Sequence, residues 1–197
     1  ILQTSNFARA ILNKETGLIP KGGRRLVSQC GIFEYEGRFI MITDAAINIA
    51  PDVETQIGIV ENALPVARAL GVECPKVAVL SAVENVTDKM PSTVTARERG
   101  VEGCVSSGPL ALDGAISMES VKHKAIKDPV AGQADILLVP FIEIGNVLYK
   151  ACSYIAGKTM ASTICGASCP VIITSRADTP DSKYYSILMA VLRCLKA

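Results

Sequence analysis

Short runs rich in β-branched residues alternate along this chain with longer stretches of helical period. That alternation constrains the fold more than any other feature. The strand candidates are Ile32–Tyr35, Arg38–Thr43, Lys76–Ser81, Gly103–Ser107, Asp135–Pro140, Ser162–Cys165 and Val171–Ser175. Between them, Asp52 is placed to cap a helix whose apolar positions Val53, Ile57, Val60, Leu64 and Ala67 repeat at four and three, ending before Gly71. Pro65 is expected to kink or split that helix. Glu143 opens another, with Ile144, Val147, Leu148, Ala151 and Ile155 on one stripe and Gly157 as its stop. The last helix is expected to start near Asp181 or Ser182 and to bury Tyr184, Leu188, Val191 and Leu195. Alternating units of this kind imply an α/β fold with a largely parallel sheet covered on both faces. The pair Ile32–Tyr35 and Arg38–Thr43, joined across Glu36-Gly37, reads instead as an antiparallel hairpin, so the sheet is expected to be mixed.

Charge narrows the function. Twenty Lys and Arg stand against nineteen Asp and Glu, a formal charge of +1, in a chain of 197 residues. That balance argues against an electrostatically driven nucleic-acid or membrane-surface binder. A hydrophobic content of 49% argues against disorder. No run approaches the ~18 apolar residues of a spanning helix, so the expectation is a soluble globular chain. Seven cysteines are an odd number, and a chain of this size needs no disulfide staples. Reduced thiols in a cytoplasmic setting fit best. Cys165 and Cys169 form a C-x₃-C pair without a second pair or a nearby histidine, so no metal site is expected. They read as small apolar packing residues beside a strand.

Ligands of open α/β sheets bind beyond the carboxyl ends of strands, where loops lead into helices. Val171-Ile-Ile-Thr runs into Ser175-Arg176-Ala177-Asp178 just before a helix, bringing a hydroxyl, a guanidinium and a helix N-terminus together. Such a set suits a phosphate or a developing oxyanion, although residue type alone makes Arg176 a solvated loop arginine. The first turns of the helix at Gly145-Asn146, followed by Tyr149-Lys150, offer backbone amides to an anion. Close packing accounts for Gly145 equally well. No Walker or G-x-G-x-x-G loop occurs. His123, the only histidine, lies among lysines and reads as a surface residue. No histidine-activated nucleophile can be assembled without it.

Several blocks resemble the phosphate acetyl/butyryltransferase family, in that family's order and over essentially the whole chain. They are Thr43-Asp-Ala-Ala-Ile-Asn-Ile-Ala-Pro-Asp52, Ser107-Gly-Pro-Leu-Ala-Leu-Asp113, Asp128-Pro-Val-Ala-Gly132, Ala134-Asp-Ile-Leu-Leu-Val-Pro140, Gly145-Asn-Val-Leu-Tyr-Lys150 and Thr174-Ser-Arg-Ala-Asp178. The first and last are closer to the phosphate butyryltransferase branch. The resemblance implies an isocitrate/isopropylmalate dehydrogenase-like fold: two α/β domains with mixed, mostly parallel sheets and an interdomain cleft. It further implies a homodimer, and reversible transfer of a short acyl group between coenzyme A and inorganic phosphate, which are substrates; no cofactor is expected. The chain opens Ile-Leu-Gln-Thr-Ser, without methionine, and is read as lacking the N-terminal part of the first domain. Residues 1–21 and 165–197 would complete that domain, and 22–164 would form the second.

The resemblance carries over residue by residue. Ser175 and Arg176 match the family's Ser-Arg pair, the hydroxyl stabilising the reacting carbonyl and the guanidinium holding phosphate. Arg9 matches an arginine that binds phosphate or coenzyme A. The acetyl enzymes place a catalytic aspartate at the position that Ser182 occupies here; Asp178 and Asp181 are nearby substitutes, neither matching that position, and Asp181 is taken as the catalytic candidate. Gly145 and Asn146 are assigned to substrate binding. The expected reaction is direct attack in a ternary complex without an acyl-enzyme. The competing readings are a non-catalytic acyl-CoA-binding or assembly fragment, an acyl carrier protein:phosphate acyltransferase, and a dehydrogenase of the same fold.

Overall fold

The computed structural model describes residues 4–13, 15–20, 22, 24–96, 100–175 and 177–196. One six-stranded sheet organises them. Its strands are β1 (Ser28–Tyr35), β2 (Arg38–Thr43), β3 (Lys76–Leu80), β4 (Val105–Leu110), β5 (Ile136–Leu138) and β6 (Ala161–Cys165), in the order β4-β3-β5-β2-β1-β6. The pairings β4/β3, β3/β5 and β5/β2 are parallel, whereas β1 is antiparallel to both β2 and β6. Among the described strands, β1 alone runs against the rest. The expected hairpin accounts for this. Glu36 and Gly37 both take positive φ, 51° and 79°, the signature of a two-residue turn whose twist matches its strands.

Alternate side chains of the strands feed two cores. Met41, Val77, Val79, Ile136 and Leu138 pack beneath α2 (Val53–Ala69) on one face. Ile40, Ile42, Ala78, Leu80 and Leu137 pack on the other, against α4 (Leu112–Ile116), α5 (Met118–Lys124) and α6 (Ile142–Lys150). Fully buried side chains such as Ile40 and Ile42 each contribute roughly 1.5–3 kcal/mol of transfer free energy. The remaining helices are α1 (Thr4–Ile11), α3 (Pro91–Thr95) and α7 (Pro180–Leu195). Among the described residues, no helix is long and apolar enough to cross a membrane.

The boundaries of α2 follow its sequence. Asp52 Oδ1 accepts the Thr55 amide at 2.8 Å, and Gly71, at φ 91°, closes the helix while Val72 N–H returns to Ala67 O. Pro65 does not split it. The helix runs unbroken through Pro65, which is exposed, so the carbonyl that loses its partner there lies on the solvent side.

Four other expectations are corrected. Val171–Ser175 is not a strand, because only Val171 pairs, in a single bridge to Ile164. Only part of the expected stripe of α6 faces in: Leu148 packs against the core, whereas Ile144 is 46% and Val147 68% exposed, and Ile155 lies in a π-helical turn (Ala151–Ile155) that continues α6. In α7 the expected buried residues Tyr184, Leu188, Val191 and Leu195 are exposed, while Ser182, Ser186 and Met189 are buried. The reason is hydrogen bonding. Ser186 Oγ accepts the Ser162 amide at 2.9 Å, and Ser182 Oγ accepts the Met160 amide at 3.3 Å. The hydroxyl face of α7 therefore satisfies the outer margin of β6 and Met189 joins the core, while Tyr184, Leu188, Val191 and Leu195 turn away. Finally, Cys165 is buried at the end of β6, but Cys169 is exposed in the following loop, where nothing packs over it as over a core residue.

Candidate active site

A cavity of about 230 Å³ opens where β1, β6, the segment after β2, α6 and the segment 173–178 meet. One wall is polar. Gln29 Nε2 donates to Ser162 Oγ at 2.9 Å, Gln29 Oε1 accepts the Ala45 amide at 3.3 Å, and both side chains are nearly wholly buried. Ile47, Ile164 and Ile173 supply an apolar side. The rim carries Asn146, Lys150, Ser175 and Asp178.

Buried Asp44 shapes one wall. Its carboxylate accepts the amides of Ala46 at 2.9 Å and of Ile47 and Asn48 at 3.1 Å, and also the Asn48 side-chain amide at 2.6 Å. These bonds fold residues 44–48 into the turn that presents Ile47 to the cavity. Burial still pushes the Asp44 carboxyl above the usual carboxylate range, with the hydrogen bonds opposing it.

Gly145 brings α6 against that turn. A methyl group there would meet Asp44 O at 2.8 Å and Ala45 Cα at 2.9 Å, both backbone. Its own amide is donated to Phe141 O at 3.2 Å, so Gly145 acts through close approach and presents no free amide to an anion. Asn146, next to it, donates from Nδ2 to Ala45 O at 3.3 Å while lining the cavity. Gly31 performs a similar service for Tyr149, whose ring would lie 2.6 Å from any Cβ at that position. Burial raises the Tyr149 phenol above its ordinary range, and Asp178 and Tyr154 reinforce the shift. Tyr149 therefore remains a neutral hydroxyl donor at physiological pH.

The segment after Ile173 makes a tight turn. The Ser175 amide donates to Asp178 Oδ2 at 2.6 Å, and the Asp178 amide returns to Ser175 O at 3.2 Å. The structure thus brings together Ser175, Asn146 and Asp178, with Gly145 just behind them. It does not bring in Asp181, which is exposed in the first turn of α7 while Thr179 caps that helix. The carboxylate at the cavity is that of Asp178. Arg9 is exposed on α1 and is not among the residues around the cavity. Arg176 lies outside the described residues. His123 is exposed, as expected, within 4.0 Å of Glu119. Gln29 and Ser162 were missed by sequence reasoning, since each looks like an ordinary polar residue in a strand. Ile47 and Lys150 stood inside the resemblance blocks, where their pattern was visible without a role.

The family model described as phosphate acetyl/butaryl transferase matches residues 3–191. A phosphate butyryltransferase of Clostridium acetobutylicum is 44% identical over 98% of this chain. A phosphate acetyltransferase of Thermotoga maritima is 39% identical over 97% of it. The crystal structure of a branched-chain phosphotransacylase from Enterococcus faecalis superposes with a TM-score of 0.90 at 39% identity, covering 100% of this chain and 72% of that one. The chain spans 66% of the length of the Clostridium enzyme. Matched almost end to end by the family model, the chain belongs to the phosphate acetyl/butaryl transferase family.

Proposed function

We propose that the protein containing this chain moves a short acyl group reversibly between coenzyme A and inorganic phosphate, with butyryl or a similar group preferred. One observation carries the reading: a hydroxyl, an ammonium and a carboxylate (Ser175, Lys150 and Asp178) converge on a cavity with an isoleucine-lined side. Its volume of about 230 Å³ is below the ~300–1,000 Å³ of a pocket that holds a whole cofactor-sized ligand. It suits the two reacting ends, a phosphate and a short acyl chain, with the rest of coenzyme A lying outside. The names of relatives support the same pair of chemistries, butyryl and acetyl transfer.

In this reading the Ser175 hydroxyl donates to the carbonyl oxygen as negative charge develops on it, a contribution worth about 3–4 kcal/mol when the donor is preorganised. Arg176 and Lys150 hold the phosphate dianion, the guanidinium through a planar fork. Asp178, rather than Asp181, takes the thiol proton. Ionising a thiol at neutral pH costs about 2 kcal/mol, so a modest base suffices. Tyr149 and Asn146 orient the reactants from α6. No cysteine or histidine stands among the described residues around the cavity, which supports direct transfer in a ternary complex.

The whole protein is proposed to have the two-domain isocitrate/isopropylmalate dehydrogenase-like architecture. Residues 1–21, with Arg9, and 165–197 would belong to the domain that the longer relatives complete. It is proposed as a cytoplasmic homodimer that needs no cofactor. All seven cysteines are free, in keeping with that compartment.

The test is phosphate-dependent release of free thiol from butyryl-CoA compared with acetyl-CoA. Turnover with butyryl-CoA is expected, and Ser175→Ala should lower it roughly 10²–10³-fold. No release by intact, folded protein would favour a binding or assembly module instead, and an acyl group retained covalently after denaturation would refute direct transfer.

A further inference from the structure

A second cavity, of about 490 Å³, lies away from the site, between the C-terminal turn of α2, the loop after β6 and the last turn of α7. Arg68, Arg193 and Lys196 line it together with two thiols, Cys169 and Cys194, and none of its described lining residues is acidic. Arg193 is fixed in the wall: its Nη1 donates to Ile164 O at 3.1 Å and to Thr163 Oγ1 at 3.3 Å. Among the described residues, none of the three cations forms a salt bridge. The Arg68 guanidinium lies over Gly103, so Arg193 and Lys196 are the cations that face a visiting anion.

Both thiols are exposed, and reactive thiols are those that combine access with positive surroundings. Their settings differ. Cys194 is carried on the last turn of α7. Cys169 sits in the loop after β6, outside any helix, where an incoming molecule meets no helix backbone.

We propose that this cavity captures small anionic disulfides, with glutathione disulfide as the representative, and that Cys169 is the residue modified. The Cys169 thiolate attacks one sulfur of the bound disulfide. A new S–S bond forms to Cys169 as the original S–S bond breaks, and the departing sulfur leaves as a thiolate that takes a proton from water. Cys169 is oxidised and the leaving thiol is reduced, so the disulfide itself is the oxidant. The carboxylates of the incoming molecule are held by Arg193 and Lys196.

The experiment compares glutathione disulfide, an anion, with cystamine, a cation, on the intact protein at low ionic strength. Peptide mapping reads the rate at each cysteine. Cys74, exposed and next to Glu73, is the internal reference. The ratio of Cys169 to Cys74 modification is expected to be roughly tenfold higher for glutathione disulfide than for cystamine, and to fall as salt is added. Lys196→Gln should remove most of that preference. Cys194→Ser should leave the Cys169 adduct intact, and Cys169→Ser should abolish it. Equal ratios for the two reagents, or an adduct that maps to Cys194, would overturn the proposal. Because the readout is an adduct and not acyl transfer, it stands or falls independently of the activity proposed above.

Discussion

Gly145 and Gly31 fix the spacing between α6 and the sheet, and each does so by lacking a Cβ. At Gly145 the obstacles are backbone atoms, Asp44 O and Ala45 Cα, which cannot rotate aside. Gly145→Ala is therefore expected to cost about 1–3 kcal/mol, read as a lower urea midpoint, and to displace the turn that carries Ile47. Tyr149 offers a test by pH. Its folded-state pKa is raised by burial, first of all, and by Asp178. The unfolded chain releases this proton near pH 10 while the folded chain keeps it, so stability falls as pH rises above that value, by up to ~1.4 kcal/mol per pH unit for one proton. Tyr149→Phe should show a shallower alkaline loss in urea titrations at stepped pH; an identical slope would mean that the phenol is not held neutral. The cavity itself was only partly legible from these residues. Ser175 stood out through its neighbours in sequence, but Gln29 and Ser162 become a polar floor only when β1 and β6 pair, a contact between residues far apart in the chain.

Elements whose signals are local were readable. The hairpin follows from two residues at positive φ, and α2 from its aspartate cap and terminal glycine. The faces of α6 and α7 were not, because periodicity locates a stripe without saying whether the sheet wants it. Against β6 the sheet requires acceptors for its outward amides, and serine hydroxyls outcompete leucine and tyrosine for that side of α7. Ser186→Ala tests this account. It removes the acceptor of the buried Ser162 amide, so a loss of about 1–3 kcal/mol is expected, measured by urea unfolding. A loss below a few tenths would mean that the interaction is incidental. Val171–Ser175 misled for a related reason. Its β-branched composition is real, but beyond Val171 no partner strand is present among the described residues, and the segment serves as a wall of the cavity instead.

At the scale of the molecule, α6 and its π-helical turn leave the large apolar side chains of Ile144, Val147, Tyr154 and Ile155 exposed, the kind of side chain that interfaces cover. The proposed homodimer is expected to use this face. Val147→Glu combined with Ile155→Glu should shift the protein from dimer to monomer in sedimentation velocity, with circular dichroism unchanged. A sedimentation coefficient unaltered by the pair would exclude the face.

The hydroxyl-lined side of α7 has one more consequence. An outermost ribbon such as β6 is a template on which another molecule's chain can add, and here two serines and the Arg193 guanidinium of α7 occupy that border. The final helix thus works as a seam. Should it loosen before the rest of the sheet melts, intermolecular cross-strand growth would begin at that border, and heat-induced clumping would track the fraying of this one helix rather than global unfolding.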